Sequence, residues 1–131
     1  MMRFVDYLNE EKQITKKVLD QLEYYIDKMF ASLNIDVEFT KHFFDRINDP
    51  RNIKQITAEE IAKLFKDTYR KHGQKIPKLG PGAQAVVNDM QTDINMPFIL
   101  KWDSQNNEFD LVAKTIMRKK NFTTPNLKLT V

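Results

Sequence analysis

Between Phe98 and Asp103 the chain alternates, with Phe98, Leu100 and Trp102 on one side and Ile99, Lys101 and Asp103 on the other, the period of a half-buried strand. A second alternating run begins after Ser104-Gln105-Asn106-Asn107. Setting Asp103 opposite Glu108 brings Trp102 to Phe109, Lys101 to Asp110, Leu100 to Leu111 and Phe98 to Ala113. Every pair then matches apolar with apolar or Lys with Asp, except the two carboxylates beside the turn, so the pattern predicts a β-hairpin in this register. One face of it is core. The other carries Lys101, Asp110, Lys114 and Arg118 with Val112 and Ile116 between them, a half-polar face suited to work.

Upstream the period lengthens to that of helices. Ile14, Val18, Leu22, Tyr25, Ile26, Met29, Phe30 and Leu33 recur at steps of three and four, which predicts a long amphipathic helix over 11–34 ended by Asn34. Phe4, Tyr7 and Leu8 fit that stripe less well, and the polar run 9–13 with Thr15 marks a break. Residues 35–39 alternate as a short strand, and Thr40 caps a short helix over 41–48 with Phe43 and Ile47 on one side and His42 and Arg46 on another. The next helix has the firmest local signals: Thr57 as N-cap, Glu60 completing a capping box, Ile56 and Ile61 as a hydrophobic staple, and Gly73 as the stop. His72 falls in its last turn, where an imidazolium meets the negative end of the helix dipole.

Residues 75–82 form a connector, and 83–90 fit either a short helix or a strand through Ala85-Val86-Val87. Residues 127–131 alternate as a last strand. Helices first and strands after predict an α+β fold, with the long N-terminal helix and the capped helix packed on one face of a small antiparallel β-sheet. One domain is expected across 1–131, with 1–10 as a separable N-terminal peptide, 11–34 the long helix and 35–131 the α+β body.

Composition narrows the chemistry. The 131 residues contain no cysteine, which excludes disulfides and thiolate catalysis. No apolar run suits a signal peptide or a membrane span, so a non-secreted protein without a membrane partner is expected. Two histidines without metal-ligand spacing, and two serines outside any nucleophile elbow, argue against a metal site or an acyl-transfer triad. Gly80 and Gly82 lack the Gly-Lys-Ser/Thr ending of a phosphate loop. No cofactor is expected. The net charge of +3 is uneven: from Lys114 to Val131 there are five cations and no acid, leaving the remainder at −2. Such a cationic tail favours a polyanion, RNA more than DNA here.

Metal-free RNA cleavage asks only for a proton-transfer group and cations, because the 2′-hydroxyl is itself the nucleophile. His42 suits the first role, with Arg46 one turn on as a phosphate clamp. Lys114 and Arg118 complete the candidate catalytic set. Lys101, Thr115, Lys119, Lys120, Asn121 and Lys128 are the candidate nucleic-acid contacts.

The order of helix, His-bearing helix, second helix and basic sheet resembles small metal-independent ribonuclease toxins of the barnase/RelE type, including phage-encoded members. His42 in TKHFFDRINDPRN, and Lys114, Thr115 and Arg118 in DLVAKTIMRKK, carry the likeness over 35–131. The resemblance implies His, Lys, Arg and Thr in an RNA-cleaving site. The segment Met2 to Glu10 resembles the capsid-targeting peptides of proteins packaged in large tailed phages, with Leu8-Asn9-Glu10 similar to a prohead-protease site. That likeness implies phage head proteins as partners, a place in the host cytoplasm or virion interior, and, as the alternative to an enzyme, a non-enzymatic virion or interaction protein.

Overall fold

The computed structural model describes residues 14–52 and 54–131. The 1–10 peptide and the first residues of the 11–34 helix therefore lie outside the described residues. Thr15 caps helix α1 (Lys16–Phe30), its hydroxyl accepting from the Val18 N–H at 3.2 Å. The polar stretch before it thus ends where a cap begins. A 3-10 turn, Ala31–Leu33, closes the helix, and Asn34 leaves it in the left-handed conformation, with φ 60°. Leu19, Ile26 and Phe30 are buried, whereas Tyr25, placed in the apolar stripe by its spacing, is exposed.

Strand β1 (Ile35–Phe39) leads through Thr40, a true N-cap, into α2 (Lys41–Ile47). Helix α3 (Ala58–His72) starts with the full capping box, and Ile56 and Ile61 are both buried beside it. Gly73 follows in right-handed conformation, so left-handed freedom is not why glycine stands here. A Cβ at Gly73 would meet the Tyr69 carbonyl oxygen at 2.4 Å, and this close approach excludes a side chain.

The strand-rich half comprises β2 (Gln84–Asp89), β3 (Ile94–Asp103), β4 (Glu108–Ala113), β5 (Met117–Arg118) and β6 (Leu127–Thr130). The ambiguous 83–90 segment is therefore a strand. The β3–β4 register is the one read from the side-chain pairs, from Phe98 opposite Ala113 to Asp103 opposite Glu108. The sheet order is β1-β4-β3-β2-β6, with β5 pairing β3 beyond the end of β4. The central strands are antiparallel, but β1 joins β4 and β6 joins β2 in parallel, so the sheet is mixed rather than purely antiparallel. Nothing in a short alternating strand sets the direction in which it enters an edge.

Helices α1 and α3 cover the face formed by Ile35, Val37, Ile94, Met96, Phe98, Leu100, Leu111 and Ala113. Phe30 meets Phe65 and Tyr69 edge-on at 6.0 and 5.6 Å between ring centres, and Phe39 stacks on Phe43 at 4.5 Å. Such pairs each contribute about 0.5–1.5 kcal/mol beyond area burial. The free edge of β1 is capped by α1: Asp27 Oδ1 accepts from the Val37 N–H at 2.9 Å and Glu23 Oε2 from the Phe39 N–H at 2.7 Å. Residues one helical turn apart thus satisfy alternate strand amides that would otherwise invite edge pairing.

Arg118 ties the two halves together. Its guanidinium donates to the carbonyls of Lys54, Thr92 and Gln55 at 3.0, 2.8 and 3.0 Å and to Glu60 Oε1 at 2.7 Å. Burial pushes the Glu60 carboxyl up, but the Arg118 hydrogen bond and the Thr57 backbone N–H outweigh it and hold its pKa below the usual range. Arg118→Ala is expected to cost about 3–5 kcal/mol of unfolding free energy, as for a buried pair left half-empty. Urea unfolding measures it, and a loss under about 1 kcal/mol would contradict the clamp.

Candidate functional site

The second face of the sheet carries no helix among the described residues. Alternation puts Asp36, Glu38, Gln84, Val86, Asn88, Asn95, Pro97, Ile99, Lys101, Asp103, Glu108, Asp110, Val112, Lys128 and Thr130 on it. Its two ends differ in charge.

At the end of β4 the strand leaves the ladder for residues 114–116 and resumes as β5. The Lys114 N–H still donates to the Pro97 carbonyl at 2.9 Å, while Lys114 Nζ reaches Gln84 Oε1 at 3.2 Å. Helix α2 grows from this break, because the Thr40 N–H donates to the Ala113 carbonyl at 3.3 Å and its hydroxyl to the Lys114 carbonyl at 2.8 Å. At the other end of α2, Asn52 Nδ2 donates to the carbonyls of Arg46 and Ile47 at 2.7 and 3.3 Å while its Oδ1 accepts from the Arg118 N–H at 3.0 Å. Helix α2 therefore runs alongside residues 114–118.

Phe43 and Ile47 bury one side of α2, and Lys41, Phe44 and Asp45 line a cleft against α1. The remaining flank carries His42 and Arg46, one turn apart. His42 is exposed. Arg46 is mostly buried, with Nη1 3.4 Å from Asp49 Oδ2. Arg51 also grips Asp49, and its hydrogen bonds hold that carboxyl well below the usual range. Arg46 Nε and Thr115 Oγ1 are buried and make no hydrogen bond within the protein. An unmade buried bond costs about 1–3 kcal/mol, so each of these atoms is held at some expense to the fold.

The structure thus sets the helix that carries His42 and Arg46 beside the break that carries Lys114 and Thr115, and it engages Arg118 elsewhere. Arg118 was expected beside Lys114 on the polar face. The irregular 114–116 step turns it to the helix side instead, and its donors are spent on three carbonyls and Glu60. Lys119, Lys120, Asn121 and Lys128 are exposed along the segment that leads from β5 to β6. Lys101 is also exposed, but across from Asp110 at the other, acidic end. His72 Nε2 lies 2.8 Å from the Thr130 carbonyl, so it fastens the end of α3 to β6, away from this site.

The acidic end was not foreseen. Parallel pairing sets Asp36 beside Asp110, and the carboxylates of Asp36, Glu108 and Asp110 come within 4.8 Å of one another. Burial, then a hydrogen bond to Asp27, then the charges of Asp27, Glu38 and Asp110 push the Asp36 pKa up to about 7. Burial and neighbouring acids raise Glu38 and Asp110 as well. Asp36 therefore keeps a share of its proton near neutrality, a consequence of strand pairing that single-sequence alternation does not reveal.

Comparison with family models, with curated proteins and with solved structures finds no match. No described helix is long and apolar enough to cross a membrane.

The raised acids fix a sign for pH dependence. Between the ordinary value of 3.8 and about 7 the folded protein keeps a proton on Asp36 that the unfolded chain has released. Stability contributed there falls as pH rises through that window. Asp36→Asn is expected to stabilise the protein at pH 8 by on the order of 1 kcal/mol and to give no gain at pH 4. Urea midpoints at the two pH values measure this, and an equal effect at both would contradict it.

Proposed function

We propose that this chain is a metal-independent endoribonuclease of toxin type that cleaves single-stranded RNA at the break between β4 and β5. The observation that carries the reading is that α2, which bears the exposed His42, starts against the Lys114 carbonyl at the break in the sheet. His42 takes the proton of the RNA 2′-hydroxyl as that oxygen attacks the adjacent phosphorus. Lys114, whose side chain is exposed, faces the charge that develops on the phosphorane. The bond from phosphorus to the 5′-oxygen breaks, that oxygen takes a proton from solvent, and a 2′,3′-cyclic phosphate remains. Arg46, held by Asp49, positions the pocket and turns a cation toward the same phosphate. Lys119, Lys120 and Lys128 draw the flanking backbone along the basic end, while the acidic end repels it.

A non-enzymatic interaction protein is the second reading, and the cluster of Asp36, Glu38, Glu108 and Asp110 favours it, because these acids suit a basic protein partner better than RNA.

The test is cleavage of end-labelled RNA by the pure protein in EDTA, with mass spectrometry of the fragment ends. Cyclic phosphate termini are expected, and His42→Ala is expected to lower the rate about 10²–10⁴-fold. Absence of cleavage, or an unchanged rate in the variant, would overturn the enzymatic reading.

A further inference from the structure

Beyond the break in the sheet, the basic end holds a second, separate cleft of about 220 Å³ between the β2–β3 turn and the segment after β5. Asn88, Asp93, Lys119, Asn121, Phe122 and Lys128 line it. Its floor is built rather than incidental. Asn95 is fully buried, its Oδ1 accepts from Asn88 Nδ2 at 2.6 Å, and its Nδ2 donates to the carbonyls of Asp93 and Lys119 at 3.1 and 3.0 Å. The Lys119 N–H donates to the Asp93 carbonyl at 2.8 Å, and Lys128 Nζ to the Phe122 carbonyl at 2.7 Å. A buried amide with both its donors and its acceptor engaged thus fixes two walls at once. Asn121 adopts the left-handed conformation, φ 56°, within the wall that carries Phe122.

The lining combines what a nucleobase requires. Phe122 offers an aromatic surface, Asn121 and Asn88 offer amide groups for a base edge, and Lys119 and Lys128 offer charge for a phosphate on either side. Asp93 adds a carboxylate, an acceptor for an exocyclic amino group. The position fits as well. Lys114 bonds Pro97 on β3, and residues 93–95 lie two to four positions back along that strand. At about 3.3 Å per residue this places the cleft roughly 7–13 Å from the Lys114 backbone, while Lys114 Nζ, at Gln84 opposite Ile99, lies farther along the strand, within the span of a few nucleotides.

We infer that this cleft is a base-binding subsite of the ribonuclease proposed above, and so rests on that reading. It holds a base flanking the scissile phosphate by stacking on Phe122, and it prefers adenine, guanine and cytosine, which carry an exocyclic amino group, over uracil, which does not.

The test uses fluorescent RNA hexamers 2′-O-methylated throughout, which lack the nucleophile, and reads binding to the full chain by anisotropy. An all-adenine hexamer is expected to bind about tenfold tighter than an all-uracil one or one with abasic sites. Phe122→Ala is expected to remove that advantage, Phe122→Tyr to retain it, and Lys114→Ala to weaken all hexamers alike. If adenine, uracil and abasic hexamers bind the wild-type chain equally while Lys114→Ala still weakens them, the subsite is wrong and the nuclease reading survives. If no hexamer binds, both fall. The abasic comparison needs no variant, so a misfolded Phe122→Ala would not spare the inference.

Discussion

The guanidinium of Arg118 is the constraint on which the rest of the molecule depends. It draws the loop before α3, the turn before β3 and the N-terminus of α3 onto one side chain, while its own backbone N–H is held by Asn52. Such a pair contributes little net energy if desolvation is counted, yet it is costly to break. Its value is geometric. Asn52, gripped from one side by Arg118, grips the end of α2 from the other, so α2 is set beside the interrupted strand and not elsewhere on the sheet edge.

From that placement follows the polarity of the uncovered sheet face. Parallel pairing of β1 brings acids to one end, where burial and mutual repulsion keep protons on Asp36 and raise Glu38 and Asp110. The segment after β5 brings lysines to the other end. A polyanion meeting this face would be repelled from the acidic half and drawn to the half that carries Lys119, Lys120 and Lys128. In the proposed reading, charge asymmetry sets where RNA lies and the break in the strand sets where it is cleaved.

Much of the scaffold was legible in the sequence because its signals are local. The β3–β4 register followed from complementary side chains, and the caps at Thr40 and Thr57 followed from short-range hydrogen bonding. His42, Lys114 and Thr115 stand as candidates on residue type and spacing. What failed depends on tertiary pairing. The direction of β1 and β6, and with it the acidic trio, is set by long connections that alternation does not encode. Arg118 looked like one cation in a basic run, since only the fold shows Glu60 and three carbonyls converging on it. Asn88 and Phe122 carried no motif, although an apolar ring directly after Lys119-Lys120-Asn121 was the available hint.

The account stands on RNA reaching one particular place. The most direct measurement is amide chemical-shift mapping of the isotope-labelled chain titrated with 2′-O-methylated RNA. Shifts centred on His42, Lys114, Thr115 and the 119–122 segment, with the β1 edge unmoved, are the expected result. Shifts confined to Asp36, Glu38 and Asp110, or none at saturating RNA, would contradict it.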